Sequence, residues 1–261
     1  MVSNRSIRIY LTLNGALVAI SYLYYLAMQT NLVGLTAATF IRNIIMAKGI
    51  EYIGQTKPQS NTDYVYPEGE FILHNIQGSV IEAITTYLTV PLNNNPNYGI
   101  VVIAFIPMSF AFDIIFDFFF YWGHRALHYH HSPWHKTHHT HVHLKPSLTF
   151  YQDPVDIILT TALPFLASAH IIQMVYPLCS FEIALLVTYK IFIELAGHSG
   201  RVSNPSASFP QCIWLPKALN IELYSEDHNL HHRSPMYNFS KQFSLWDKVF
   251  GTFKKVEIIP E

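Results

Sequence analysis

Residues 9 to 28, IYLTLNGALVAISYLYYLAM, run for twenty positions without a charged side chain. Twenty helical residues span a hydrocarbon core of ~30 Å, and inside such a core only a helix or a closed barrel satisfies its own backbone. The run follows Arg5 and Arg8, exceeds the apolar length of a cleaved leader and shows no clear small-residue cleavage site, so it reads as a signal anchor. Apolar stretches recur at 31 to 47, 71 to 92 and 98 to 122, the first containing Arg42 and the second His74 and Glu82. Two more, 155 to 176 and 178 to 196, meet through Pro177 with no room for a loop, which predicts a helical hairpin that dips into the bilayer. Composition agrees: 50% of residues are hydrophobic and 13% are Asp, Glu, Lys or Arg, about half the charged share of a soluble domain.

The expected fold is therefore an all-α membrane protein, a bundle of about four to six apolar helices. Residues 1–97 supply N-terminal membrane helices and loops, and 98–261 form the second domain, which carries fourteen of the fifteen histidines. With the N-terminus cytosolic, four crossings through residue 122 return the chain to the cytosol, and the hairpin returns it there again. Eleven of the sixteen Lys and Arg residues follow residue 123, while the loop NNNPN at 93 to 97, placed outside, has none. The net charge of -1 and the lack of a basic tail give nucleic acid no footing. Cys179 and Cys212 are the only cysteines, so a metal would rely on imidazole.

Imidazole is abundant. Nine of the fifteen histidines lie within HRALHYHHSPWHKTHHTHVH, residues 124 to 143. On the helix that leaves the membrane, Asp117, Tyr121, His124 and His128 are spaced 4, 3 and 4 apart and share one face. An aspartate in so apolar a run needs a partner, and metal-bound imidazoles commonly give their second N–H to a carboxylate. Ser132 and Pro133 then signal a new helix start, with serine as cap. On this helix His135, His138 and His139 fall at i, i+3 and i+4, on one face. The pattern recurs 93 residues later in SEDHNLHH, with Ser225 as cap and His228, His231 and His232 in the same register. With 15 histidines in 261 residues, chance supplies about 0.05 such patterns per chain. His198 in ELAGHSG is a further candidate, whereas His74 and His170 stand alone in apolar segments. Nine candidates, His124, His128, His135, His138, His139, His198, His228, His231 and His232, are too many for one ion and fit two, with four or five ligands each. Imidazole alone permits Zn, Cu, Fe or Ni.

HRALH, HKTHH and HNLHH, in this order beside apolar hairpins, resemble the three histidine boxes of the fatty acid hydroxylase and sterol desaturase superfamily of membrane di-iron oxygenases. DFFFYWGHRALH, GHSG and NFSKQFSLWDKVFGT resemble its flanking motifs, so the likeness covers about residues 100 to 255. At Asp153 in YQDPVD the chain departs from the histidine that sterol-oxidising members often carry, which leaves the substrate class open. The resemblance implies two iron ions on the nine histidines, in a histidine-rich helical cap on the cytosolic face of the endoplasmic reticulum or an equivalent membrane. Asp117, Tyr121, Glu194 and Asp227 are candidates to support those ligands from behind. Arg125, pointing off the histidine face, suits a carboxylate or phosphate contact. His130, His131, His141 and His143 lie outside the motif positions. The implied reaction uses dioxygen and externally supplied electrons to hydroxylate or desaturate a C–H bond of a lipid drawn from the bilayer, in lipid biosynthesis. The chain has neither GxGxxG nor HPGG, so the implied electron donor is an external b-type cytochrome or a similar carrier. A rival from another class is a non-enzymatic metal transporter with a histidine-rich loop. It accounts for residues 124 to 143 but leaves HNLHH, His198 and WDKVFGT unexplained.

Overall fold

The computed structural model describes residues 4–55, 68–90, 96–140, 144–201 and 208–256. Among these the regular structure is helical, with one isolated antiparallel bridge, Glu222 to Phe243, in place of any sheet. Four long helices come first: α1 (Asn4–Ala27), α2 (Leu32–Gly54), α3 (Glu68–Thr89) and α4 (Tyr98–Tyr129). The short α5 (Pro133–His139) and a 3-10 turn (Pro146–Phe150) follow. Next, α6 (Pro154–Ile157), a π-helical turn (Ile158–Ala162) and α7 (Leu163–Gln173) form one continuous rod, and α8 (Ser180–Gly197) packs on α1. The short helices α9 (Leu215–Ala218), α10 (Ser225–Arg233) and α11 (Leu245–Val249) complete the chain.

Four segments, Ile7–Ala27, Leu32–Gly54, Tyr98–Tyr129 and Pro154–Gln173, are long and apolar enough to cross a membrane. Leu11, Leu23, Ile45, Val102 and Ile103 are exposed on their outer faces, the surface that lipid rather than water would cover. The chain is thus an integral membrane protein with an all-α bundle. The expected segments at 71 to 92 and 178 to 196 form helices but fall outside that set of four. His74, Asn75, Gln77 and Glu82 dilute α3, and Glu182, Lys190 and Glu194 charge α8. The hairpin also differs from expectation, because a turn over 174–179 separates α7 from α8 and Pro177 does not join them directly. Of the expected outer loop, residues 93–95 lie outside the described residues.

Inside the bundle Phe112, Phe116 and Phe120 line up along α4, and Phe165 packs edge-on against Phe112. Ser21 and Ser168 satisfy their hydroxyls within their own helices, donating to the Leu17 and Pro164 carbonyls, both at 2.7 Å, as a water-free interior favours. Two ion pairs cross between helices, Arg42 with Glu82 and Lys190 with Asp113. Helix α4 has 32 residues, ~48 Å at 1.5 Å per residue, against a core of ~30 Å. The excess lets its last turns, which carry His124 and His128, stand clear of the hydrocarbon.

Candidate metal centre

Each histidine is placed by a local structural cause. After α4, His131 adopts φ 46, a left-handed turn that reverses the chain into α5. Pro133 opens α5 in the first turn, where its missing N–H is harmless. Ser132 precedes it but makes no side-chain cap bond, contrary to expectation. His198 is the C-cap of α8. In α10 the N-cap is Tyr224 and not Ser225. The Asp227 carboxylate accepts from the Tyr224 N–H at 3.0 Å, while the Ser225 hydroxyl donates to the Ala196 carbonyl at 3.0 Å and ties α10 to the end of α8.

All nine candidate histidines converge, and they do so in two groups. His124, His128, His135, His139 and His231 form one; His138, His198, His228 and His232 form the other. The ring nitrogens within a group lie within 4.8 Å of one another. In each HxxHH the i, i+4 pair serves one group and the middle histidine the other. The two boxes do this in opposite senses: His135 and His139 join the first group and His138 the second, whereas His228 and His232 join the second and His231 the first. The groups are neighbours, with the His139 and His232 rings stacked at 4.5 Å.

The facing Nε2 atoms stand 2.9 to 3.2 Å apart in the first group and 3.2 to 3.3 Å in the second. Donors about 2.1 Å from one cation lie about 3.0 Å apart at right angles and about 3.4 Å apart at tetrahedral angles. The protonation pattern fits as well. Carbonyl oxygens only accept, so a ring nitrogen against one must carry the proton. His124 Nδ1 donates to the Phe239 carbonyl and His231 Nδ1 to the Tyr237 carbonyl, both at 2.7 Å; His198 Nδ1 donates to the Glu194 carbonyl at 2.9 Å. Their Nε2 atoms then point inward as bare lone pairs, which repel at 3 Å unless a cation lies between them.

Burial holds these rings neutral. It is the largest cause lowering the pKa of His138, His139, His198, His228 and His232 far below the ordinary value, and it takes His231 down to about 3. Neutral imidazole is the ligating form. The residues thus fit two cations bound by nitrogen.

The supporting residues differ from those expected. Asp117 touches no histidine, since seven residues put it about 10 Å below His124 along the helix. Its Oδ1 accepts from the Lys241 and Gln242 N–H groups at 2.8 and 3.0 Å, and its Oδ2 from the Phe243 N–H at 3.0 Å. Tyr121 likewise reaches Thr252, and Arg125 donates to the Tyr121 hydroxyl at 2.7 Å rather than to a carboxylate or phosphate. Glu194 supports His198 through its carbonyl, while its carboxylate pairs with Lys241. Asp227 caps α10. The carboxylate that does hold a ligand is Asp156, whose Oδ2 lies 2.9 Å from His135 Nδ1. Sequence reasoning missed it, although the signal was present: an acid in the first turn of an apolar helix, which needs a partner as much as Asp117 does. Asp153 caps that helix, accepting from the Val155 N–H at 2.8 Å.

The closing motif has a structural role. Asp247 accepts from the N–H groups of Phe239 and Ser240 at 2.8 Å, Thr252 donates to Asp247 at 2.6 Å, and Trp246 donates to the Ile114 carbonyl at 3.0 Å. Together with Asp117 they clamp the segment whose carbonyls receive His124 and His231. Of the remaining histidines, His130, His131 and His170 are exposed, and His74 meets the Gln152 carbonyl at 3.0 Å. His141 and His143 lie outside the described residues.

A family model described as fatty acid hydroxylase matches residues 109–252. Fatty acid hydroxylase vlmA of a Lecanicillium species is 35% identical, over 54% of this chain and 40% of its own length. A very-long-chain aldehyde decarbonylase of Oryza sativa is 30% identical, over 64% of this chain and 56% of its own. Human lathosterol oxidase is 29% identical, over 60% and 48%. The chain spans about half the length of these curated relatives. No solved structure matches it significantly.

Proposed function

Since the chain belongs to the fatty acid hydroxylase family, we propose that it is a membrane di-iron oxygenase that hydroxylates or desaturates a C–H bond of a lipid of the sterol or fatty-acyl type. The observation that carries this reading is the convergence of nine imidazoles into groups of five and four at one end of an apolar bundle. Family relatives named as a hydroxylase and an oxidase support the oxidoreductase class, and one named as a decarbonylase fits an outcome that substrate positioning decides. Two bound irons would supply dioxygen activation, in the open positions that four or five imidazoles leave on each ion.

The chain's own residues perform the rest. His124, His128, His135, His139 and His231 hold one ion, and His138, His198, His228 and His232 the other. Asp156 and the carbonyls of Phe239, Tyr237 and Glu194 fix ring tautomers so that each Nε2 lone pair faces inward. The apolar bundle delivers a lipid laterally and keeps water from the oxidant. Electrons come from a separate carrier, a small b-type cytochrome or a similar protein, which docks on the histidine-bearing side. Lys and Arg concentrate after residue 123, which supports a cytosolic position for that side in the endoplasmic reticulum or an equivalent membrane.

The test joins metal analysis to lipidomics. Purified protein should hold two irons per chain, and cells expressing it should accumulate sterols or acyl lipids that have gained one oxygen or lost two hydrogens. His231→Ala and His138→Ala should each abolish product. Retained turnover in either variant refutes the ligand assignment, and metal transport into vesicles without oxygen consumption favours a transporter instead.

A further inference from the structure

A cavity of about 90 Å³ lies within the bundle. Glu194, Ile191, Lys190 and Val187 line it along α8, between about 6 and 16 Å from His198 at 1.5 Å per residue. Ile157, next to the Asp156 that holds His135, borders it on another wall. The cavity therefore begins beneath the histidine groups and runs into the membrane interior. Helix α3 descends beside it: His74 meets Gln152 at the cap end, and a Cβ on Gly78 would lie 3.7 Å from Ile157. Glu82 and Thr86 follow about 6 and 12 Å further down.

Phe150, Phe165 and Ile191 make apolar walls, Gln152 and Glu194 are polar near the cap, and Asn43 of α2 joins Glu82, Thr85 and Thr86 of α3 in a second polar group further down. Glu82 Oε1 is engaged by Arg42, which also donates to Asn43 at 2.8 Å and lies over the Tyr24 ring at 4.4 Å. Glu82 lines the cavity and its side chain keeps 20% of its surface accessible, so the carboxylate stays open to a ligand donor. An ionisable group retained inside a membrane bundle marks a functional site by default.

Charge balance narrows what this acceptor would take. Each ionised residue of the lining already has a partner: Glu82 has Arg42, Lys190 has Asp113 and Glu194 has Lys241. A ligand carboxylate or ammonium would enter as an uncompensated charge, whereas a neutral hydroxyl can donate to Glu82 without upsetting the balance. We propose that Glu82 anchors the hydroxyl end of a neutral, hydroxyl-bearing lipid, so that the site selects such lipids over free fatty acids and long-chain amines. The inference rests on the oxygenase reading in taking that lipid as the substrate.

Binding, measured apart from turnover, separates the two. Dissociation constants of hexadecan-1-ol, hexadecyl methyl ether, hexadecanoate and hexadecylamine would be determined with the full-length protein in nanodiscs. The alcohol should bind tightest and the ether at least about tenfold more weakly, the factor that one hydrogen bond to a charged acceptor carries. In Arg42→Leu/Glu82→Leu, which removes the pair together and strands no charge, alcohol and ether should converge while metal content stays at the wild-type level. An ether that matches the alcohol in the wild type, or an acid or amine that binds more tightly than the alcohol, overturns the proposal; both comparisons need no variant to fold. If the preference appears in protein that lacks oxygenase activity, the anchor stands and the oxygenase reading falls.

Discussion

Replacing Asp117 with Asn tests how the histidines are held, because the substitution keeps shape and removes only charge and one acceptor. Asp117 is fully buried, with Oδ1 receiving two backbone N–H groups and Oδ2 the third, that of Phe243. If the Asn oxygen keeps the Lys241 and Gln242 contacts, its NH2 faces the Phe243 N–H, donor against donor. One charge-assisted bond disappears, about 1.5–3 kcal/mol, and a buried N–H is orphaned, about 1–3 kcal/mol. A local loss of roughly 2.5–6 kcal/mol follows, concentrated on residues 241–243. This segment continues into the carbonyls of Phe239 and Tyr237, which orient His124 and His231.

Both of those rings belong to the five-histidine group. Metal affinity there should fall by about 10- to 100-fold, the usual effect of losing an outer partner of a ligating imidazole, while the four-histidine group keeps its affinity. Metal titration of the purified variant, followed as two separate equivalents beside a thermal unfolding curve, reads both effects. An Asp117→Asn protein with wild-type stability refutes the reasoning, as does one in which the four-histidine equivalent is the one that weakens.

Two further outcomes are expected. His138, His198, His228 and His232 have folded pKa values well below their ordinary 6.5, and His231 lies at about 3; the unfolded chain therefore binds more protons as pH falls below about 6.5. Stability of the metal-free protein should be constant above about pH 7.5 and decline from about 6.5 downward, each such histidine contributing about 1.4 kcal/mol per pH unit. Unfolding midpoints that rise on acidification contradict this. Gly123 lies where α4 meets the π-helical turn, and a Cβ there would sit 2.8 Å from the Leu159 carbonyl oxygen. Gly123→Ala should destabilise the protein by about 1–3 kcal/mol through overpacking, visible as a lower unfolding midpoint; an unchanged midpoint places the contact wrongly.

The histidines and helices were legible because both rest on local spacing. Apolar run length located α1 to α4, and HRALH, a recurring HxxHH and a lone His198 located all nine converging rings. What spacing cannot give is the partner of a ring. Asp117 shares a helical face with His124, but a shared face two turns apart is about 10 Å of separation; the acceptor is a carbonyl 115 positions away, brought there by tertiary clamping. Spacing does not reveal Asp156 as a partner because its neighbour in space, His135, lies on another element. The division of each box between two centres was equally hidden, since i, i+3 and i+4 specify one side of a helix and two neighbouring ions can both lie on that side. The cavity and its Arg42–Glu82 end arise from packing among helices whose sequences show only isolated charges.

The two groups are supported unequally, and this sets an order for metal loss. In the five-histidine group His124, His135 and His231 each have a partner for Nδ1. In the four-histidine group only His198 has one; Nδ1 of His138, His228 and His232 is buried without a hydrogen bond among the described residues. An unsupported imidazole is a less basic, less oriented ligand, and each outer partner is worth about 10- to 100-fold in metal affinity. Titrating the loaded protein with a chelator should therefore release metal in two phases, the four-histidine ion first. His228→Ala should remove the early phase and leave the late one, and His231→Ala should do the reverse. Release in one phase, or an early phase that survives His228→Ala, shows that the Nδ1 partners do not set the order.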